Sequence, residues 1–240
     1  MAGHSQFANI KHKKEARDKK RAVLFQKFSK EISILARINP NLNQNPNLRM
    51  VVEKARANNM PKDNIERALT RHQDSKTSYE TIYYEGYGKG GTNFIVKTLT
   101  DNKNRTAANI RSYFSKKEGK LATPGSVTFQ FINGAFFVIS KEDLPEDTLL
   151  VLSEKLKIEE LIEEEEMYII ITNEQNFNFN NEIFKKNNIT DFIEIGIGWY
   201  PKERIKLSDL SEVKNNTQLI ELLENDEDVQ EIYHNIELND

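Results

Sequence analysis

The chain has 240 residues, 34 Lys and Arg against 37 Asp and Glu, a net charge of −3 and no cysteine. That length suits one large or two to three small domains. The composition excludes a disulfide framework, a thiolate nucleophile and a cysteine zinc site, and no apolar run approaches the roughly 20 residues of a membrane span.

The first residues carry no apolar stretch behind their charges, so a secretory signal is not expected. The expectation is a soluble, cytoplasmic chain with no membrane partner. Its charge is divided, with +9 on residues 1–75 and −12 on residues 76–240. A basic start on an acidic chain suits a polyanion, and the acidic remainder would be repelled from that same partner.

The basic start is densest at Lys11-His12-Lys13-Lys14-Glu15-Ala16-Arg17-Asp18-Lys19-Lys20-Arg21, with seven bases and two acids. At about 100° per residue these bases cover most of a helix circumference. Such a segment does not bury itself against its own protein at tolerable cost. A solvated charged helix is the plain alternative to a nucleic-acid contact. Residues 17–38 read as a helix, with Leu24, Phe28, Ile32 and Leu35 on one stripe and Lys27, Lys30 and Arg37 elsewhere. Extended backwards, that helix packs with its second half and presents cations with its first.

Asn45 is an N-cap before Pro46, and Leu48, Val51, Val52 and Ala55 form a second helical face. Asn58-Asn59 ends it. Pro61 opens a third helix, with Ile65, Ala68 and Leu69 inward and Lys62, Arg67 and Arg71 outward. Near Thr77 the pattern changes to strands, Tyr79 to Tyr84 and Thr92 to Thr100. Between them Gly86-Tyr87-Gly88-Lys89-Gly90-Gly91 matches a dinucleotide fingerprint formally. A strand follows where that fingerprint needs a helix, so a plain loop is expected.

Asp101 or Asn102 caps a helix running to about Lys117, with Ala107, Ile110 and Phe114 inward. Arg105 lies near the positive end of its dipole, which invites an anionic partner, either a phosphate or an intramolecular carboxylate. Val127 to Ile132 and Ala135 to Ile139 flank Asn133-Gly134, a strong hairpin signal. Further on come helical material at Glu146 to Leu156, a strand at Met167 to Thr172, a helix at Asn180 to Asn188 and a strand at Phe192 to Tyr200. Pro201 to Leu207 is a strand or linker. A helix ending at Glu224 and a strand at Val229 to Asn235 close the chain. Glu163 to Glu166 lacks the spacing of a calcium loop and reads as solvated surface.

No catalytic constellation is present. His4, His12, His72 and His234 share no metal-ligand spacing, and neither a Walker loop nor a G-x-S-x-G elbow occurs. No enzyme activity, metal or cofactor is expected. An enzyme with a small-molecule site at Gly86–Gly91 is kept as a third functional class, behind the two that follow.

Four separated blocks resemble the YebC/PmpR family: the opening AGHSQFANIKHKKEARDKKR, the EGYGKGG loop, TDNKNRT at residues 100–106 and DVQEIYHN at residues 228–235. The chain departs from the family pattern at Phe7 for Trp, Lys13 for Arg, Lys89 for Pro and Pro124 for Asp. The resemblance implies an α+β fold, in which an N-terminal three-helix domain precedes two α/β domains, the third inserted into the second. The corresponding boundaries are 1–76, then 77–134 with 208–240, and 135–207 for the insertion. It also implies DNA-binding transcriptional regulation. Relatives that include a mitochondrial translational activator imply the alternative, a translation factor on ribosomal RNA. In either case Lys11, Lys13, Lys14, Arg17, Lys19, Lys20 and Arg21 neutralise phosphates, and Phe7 and His12 stack or anchor. Lys27 and Arg105 complete the expected contact set. The oligomeric state is left open.

Overall fold

The computed structural model describes residues 3–70 and 78–237, with side chains from residue 18 onward. Ala2, Arg71, His72 and Thr77 lie outside the described residues. Among those described, the fold is α+β, with seven α-helices and two four-stranded sheets. The chain forms two compact units, Met1–Pro124 with Leu207–Ile232, and Gly125–Lys206 with Tyr233–Asp240.

The first unit opens with α1 (Gly3–Ile38), which runs back through the basic stretch as one helix. Two short helices, α2 (Pro46–Ala57) and α3 (Lys62–Thr70), pack against its second half. Asn45 organises the first turn. Its Oδ1 accepts from the Leu48 amide at 3.0 Å, and its Nδ2 donates to the carbonyls of Leu35 and Asn39. One side chain thus caps α2 and ties its start to the last turn of α1 and the residue after it. Asn59 takes the left-handed conformation (φ 59°) that ends α2. Ile32, Leu48, Val52 and Ala55 are fully buried between the helices, with Phe28 and Leu35 packed on them. Ser33 donates to the Ala68 carbonyl and ties α1 to α3.

The same unit holds a sheet of strands β1 (Glu80–Tyr87), β2 (Asn93–Thr100), β3 (Lys120–Leu121) and β8 (Val229–His234), in the order β3-β1-β2-β8. The helices α4 (Lys103–Lys116) and α7 (Leu210–Glu224) pack together, and α4 lies on β1. Phe94 and Phe114 meet edge to face at 5.8 Å in this core. The expected cap is Asn102, whose Oδ1 accepts from the Arg105 amide.

The second unit is built on β4 (Phe131–Ser140), β5 (Glu160–Glu163), β6 (Met167–Thr172) and β7 (Glu194–Pro201), antiparallel in the order β5-β6-β4-β7. Its helices are α5 (Glu146–Ser153) and α6 (Phe177–Lys186). Phe137 is fully buried against Phe177, Phe184 and Phe192, with ring centroids 5.1–5.8 Å away. Glu163 to Glu166 are exposed, as expected, although Glu163 also ends β5.

The hairpin expected at Asn133-Gly134 is corrected. Both residues lie inside the unbroken strand β4, preceded by a single 3-10 turn at Thr128–Gln130. Gly134 sits opposite Gly198 of β7. A Cβ on Gly134 would lie 2.7 Å from the Thr172 carbonyl oxygen, so the glycine serves close strand packing and not a turn.

Candidate nucleic-acid interface

Phe7, Lys11, His12, Lys13, Lys14 and Arg17 lie on the part of α1 where the description is of the backbone alone. Their continuous helix places the expected contact residues, Arg105 of α4 apart, on one rod of about 1.5 Å rise per residue. Lys19 and Lys20 follow on the same helix. Both are exposed and form no ion pair among the described residues. Arg21 is exposed but held, since its guanidinium donates to the Asn59 carbonyl at 3.2 Å and lies over the Phe25 ring.

Further along α1, Lys27 and Lys30 turn inward to the protein. The Lys27 ammonium donates to the Glu224 carbonyl at 2.8 Å, at the C-terminal end of α7, where a helix dipole favours a cation. Burial lowers its pKa, against the pull of Glu224 and Asp226. One turn later Lys30 donates to the Glu227 carbonyl and, at 2.6 Å, to Asp228.

Asp228 collects the rest of the site. Arg105 reaches its Oδ2 at 2.8 Å and Thr106 at 2.9 Å, while Arg105 also bonds Asp101 at 2.9 Å. The side chain of Asp228 is 1% exposed. Burial alone would raise its carboxyl, but hydrogen bonds from Lys30, Arg105 and Thr106 prevail and hold it below the usual carboxylate range. The Asp228 hydrogen bond likewise raises the Arg105 guanidinium above its ordinary value. Asp226 shapes this loop. Its Oδ1 accepts from the Asp228 amide, and its Oδ2 from the Tyr113 hydroxyl, which burial and that bond push up to about 12. Of the two anions open to Arg105, the structure therefore supplies the intramolecular carboxylate.

Asp226, Asp228 and Thr106 were not among the expected site residues. No local signal marked them, because Asp228 meets Lys30 and Arg105 across 198 and 123 positions of sequence.

The Gly86–Gly91 loop is fastened from within. Lys89 pairs with Glu118 at 2.8 Å, and the buried Asn216 accepts from Thr92 and donates to the Lys89 carbonyl. Among the described residues no group of three His, Asp or Glu is arranged to hold a metal ion, and no helix is long and apolar enough to cross a membrane.

Two family models match this chain. One, described as the TACO1/YebC protein N-terminal domain, covers residues 5–75, and the other, the TACO1/YebC second and third domain, covers residues 79–236. The chain belongs to the TACO1/YebC family. A relative from Geobacillus thermodenitrificans is 43% identical over 99% of this chain and 97% of its own. One from Lachnoclostridium phytofermentans is 38% identical over 98% and 99%. Both carry the name probable transcriptional regulatory protein. The crystal structure of a conserved hypothetical protein from Aquifex aeolicus superposes with a TM-score of 0.70 at 30% identity, covering 92% of this chain and 91% of that one. The Lys30–Asp228 pair joins the parts matched by the two TACO1/YebC models, Lys30 in the first and Asp228 in the second.

Proposed function

We propose that the protein is a cytoplasmic, nucleic-acid-binding regulator of gene expression, of the DNA-binding transcriptional type that its relatives' names indicate. In this reading residues 1–76 make the contact. Residues 77–134 with 208–240, and the insertion 135–207, form the acidic body that carries them. The carrying observation is the division of labour along α1. Lys19 and Lys20 are exposed and unpaired among the described residues, whereas Lys27 and Lys30 are engaged by the protein itself. Lys11, Lys13, Lys14 and Arg17, with Phe7 and His12, precede them on the same helix and complete the proposed contact. The role proposed is binding, not catalysis.

One observation favours a second reading, a translation factor on ribosomal RNA. At about 100° per residue the bases of the run keep to no single helix face, which does not suit an amphipathic reader of base edges, and phosphate contacts carry no sequence information. Co-sedimentation with purified ribosomes, beside binding to random duplex DNA across a salt series, separates the two. Ribosome association that survives about 0.15 M salt, where non-specific DNA binding weakens steeply, establishes the translation reading. A salt-resistant preference for one DNA sequence without ribosome association establishes the transcriptional one. Retention of neither partner at low salt overturns both.

A further inference from the structure

A cleft of about 220 Å³ lies in the first unit between α1 and the sheet face away from α4. At roughly 30 Å³ per water molecule it has room for about seven waters. Glu31 and Ile34 of α1 form one wall, Thr81 of β1 and Lys97 of β2 another, and Gln230 and Glu231 of β8 the third.

The charges in these walls do not balance. Lys97 is engaged by Glu231, with Nζ and Oε1 3.1 Å apart. Glu31 is left with no ion pair or side-chain hydrogen bond among the described residues, and Lys54 of α2 acts on it only from beyond ion-pair range. Burial raises its carboxyl, which Lys97 opposes only in part. A carboxylate withdrawn from water without a partner is costly, and a cation placed beside it removes that cost. Gln230 adds a second unmet group, a buried amide Nε2 with no hydrogen-bond partner. The cleft thus offers a carboxylate that lacks a cation and, in the same walls, a donor that lacks an acceptor.

We propose that this cleft binds a small organic cation, a primary ammonium or guanidinium compound of about amino-acid size that carries a hydrogen-bond acceptor. Glu31 holds the cation, the Lys97–Glu231 pair lines the opposite side, and the apolar Ile34 covers the stem. The site is independent of the nucleic-acid reading, since none of its groups belongs to the exposed basic run.

The test uses the full chain and δ-aminovaleramide, which joins one ammonium to one carboxamide through four methylenes. Hexanamide is its neutral isostere. Isothermal titration is expected to show saturable binding of one δ-aminovaleramide per chain, with hexanamide at least tenfold weaker. Glu31→Gln is expected to weaken δ-aminovaleramide at least tenfold, whereas Glu165→Gln, in the exposed acidic run, leaves it unchanged. Thr81→Trp keeps Glu31 and fills the cleft, so it should also abolish binding, and circular dichroism of each variant confirms that it folds. The proposal is overturned by no saturable binding, by equal binding of hexanamide, or by insensitivity to Glu31→Gln. Equal loss in Glu165→Gln, which would mark a general attraction of cations to an acidic chain, also overturns it.

Discussion

Lys30 and Asp228, 198 positions apart in sequence, meet at 2.6 Å, with side chains 13% and 1% exposed. Removing one member of a buried, hydrogen-bonded charge pair strands the other, at about 3–5 kcal/mol. Arg105 shares the carboxylate and is 44% exposed, so water can recover it when Asp228 is replaced. Asp228→Asn is therefore expected near the lower end, about 3 kcal/mol. A urea titration would read it as a lower midpoint at unchanged slope. A midpoint within error of wild type would show that the cluster adds nothing to stability.

The same cluster sets a pH dependence. The folded carboxyl of Asp228 titrates below its unfolded value of about 3.9, because its bonds to Lys30, Arg105 and Thr106 outweigh burial. A depressed carboxylate contributes stability that is complete above the unfolded value and is lost as pH falls through the folded one. The gap between wild type and Asp228→Asn should hold constant from about pH 7 to 5 and close below about pH 4. Urea midpoints at stepwise pH check this, and a gap that persists undiminished at pH 3 would assign the effect to packing.

Asn216 is 2% exposed and holds the Gly86–Gly91 loop through Thr92 and the Lys89 carbonyl, while also bonding the Glu212 carbonyl of its own helix. Asn216→Ala removes the bonds to Thr92 and to the Lys89 carbonyl and leaves these two only each other, at 3.1 Å, which should cost about 1–2 kcal/mol. Asn216→Asp should cost more, because a carboxylate would face two carbonyl oxygens. Thermal melting ranks the three proteins. Nucleic-acid affinity measured on the folded variants should stay within twofold, since the loop is not in the proposed interface.

Local chemistry made much of this fold legible in advance. Asn45 and Asn102 were readable as caps because each acts on an amide three residues ahead. Asn133-Gly134 misled because the reason for its glycine is distant, at the Thr172 carbonyl of the neighbouring strand. Asp228 was silent for the same reason, with Arg105 123 positions away. The basic run was plain in the sequence, but which of its cations the protein neutralises was not. Lys20 and Lys27 look alike in the one-dimensional pattern, and only the position of Glu224 separates them.

That separation yields the last prediction. Removing one phosphate-neutralising cation should flatten the log–log salt dependence of nucleic-acid binding by roughly 0.7 to 0.9. Lys19→Gln with Lys20→Gln is thus expected to reduce the slope by about 1.4 to 1.8 and to weaken binding evenly across sequences. Adding Lys13→Gln and Lys14→Gln should continue the trend. Lys27→Gln should leave the slope unchanged, because its ammonium already donates to the Glu224 carbonyl, and should lower the melting temperature instead. Fluorescence anisotropy on a labelled duplex and on a structured RNA, over about 0.05 to 0.2 M salt, measures each slope. If Lys27→Gln flattens the slope as much as Lys20→Gln, the inward half of α1 also meets the polyanion. If neither changes it, the basic helix is not the binding element and the nucleic acid is held elsewhere on the chain.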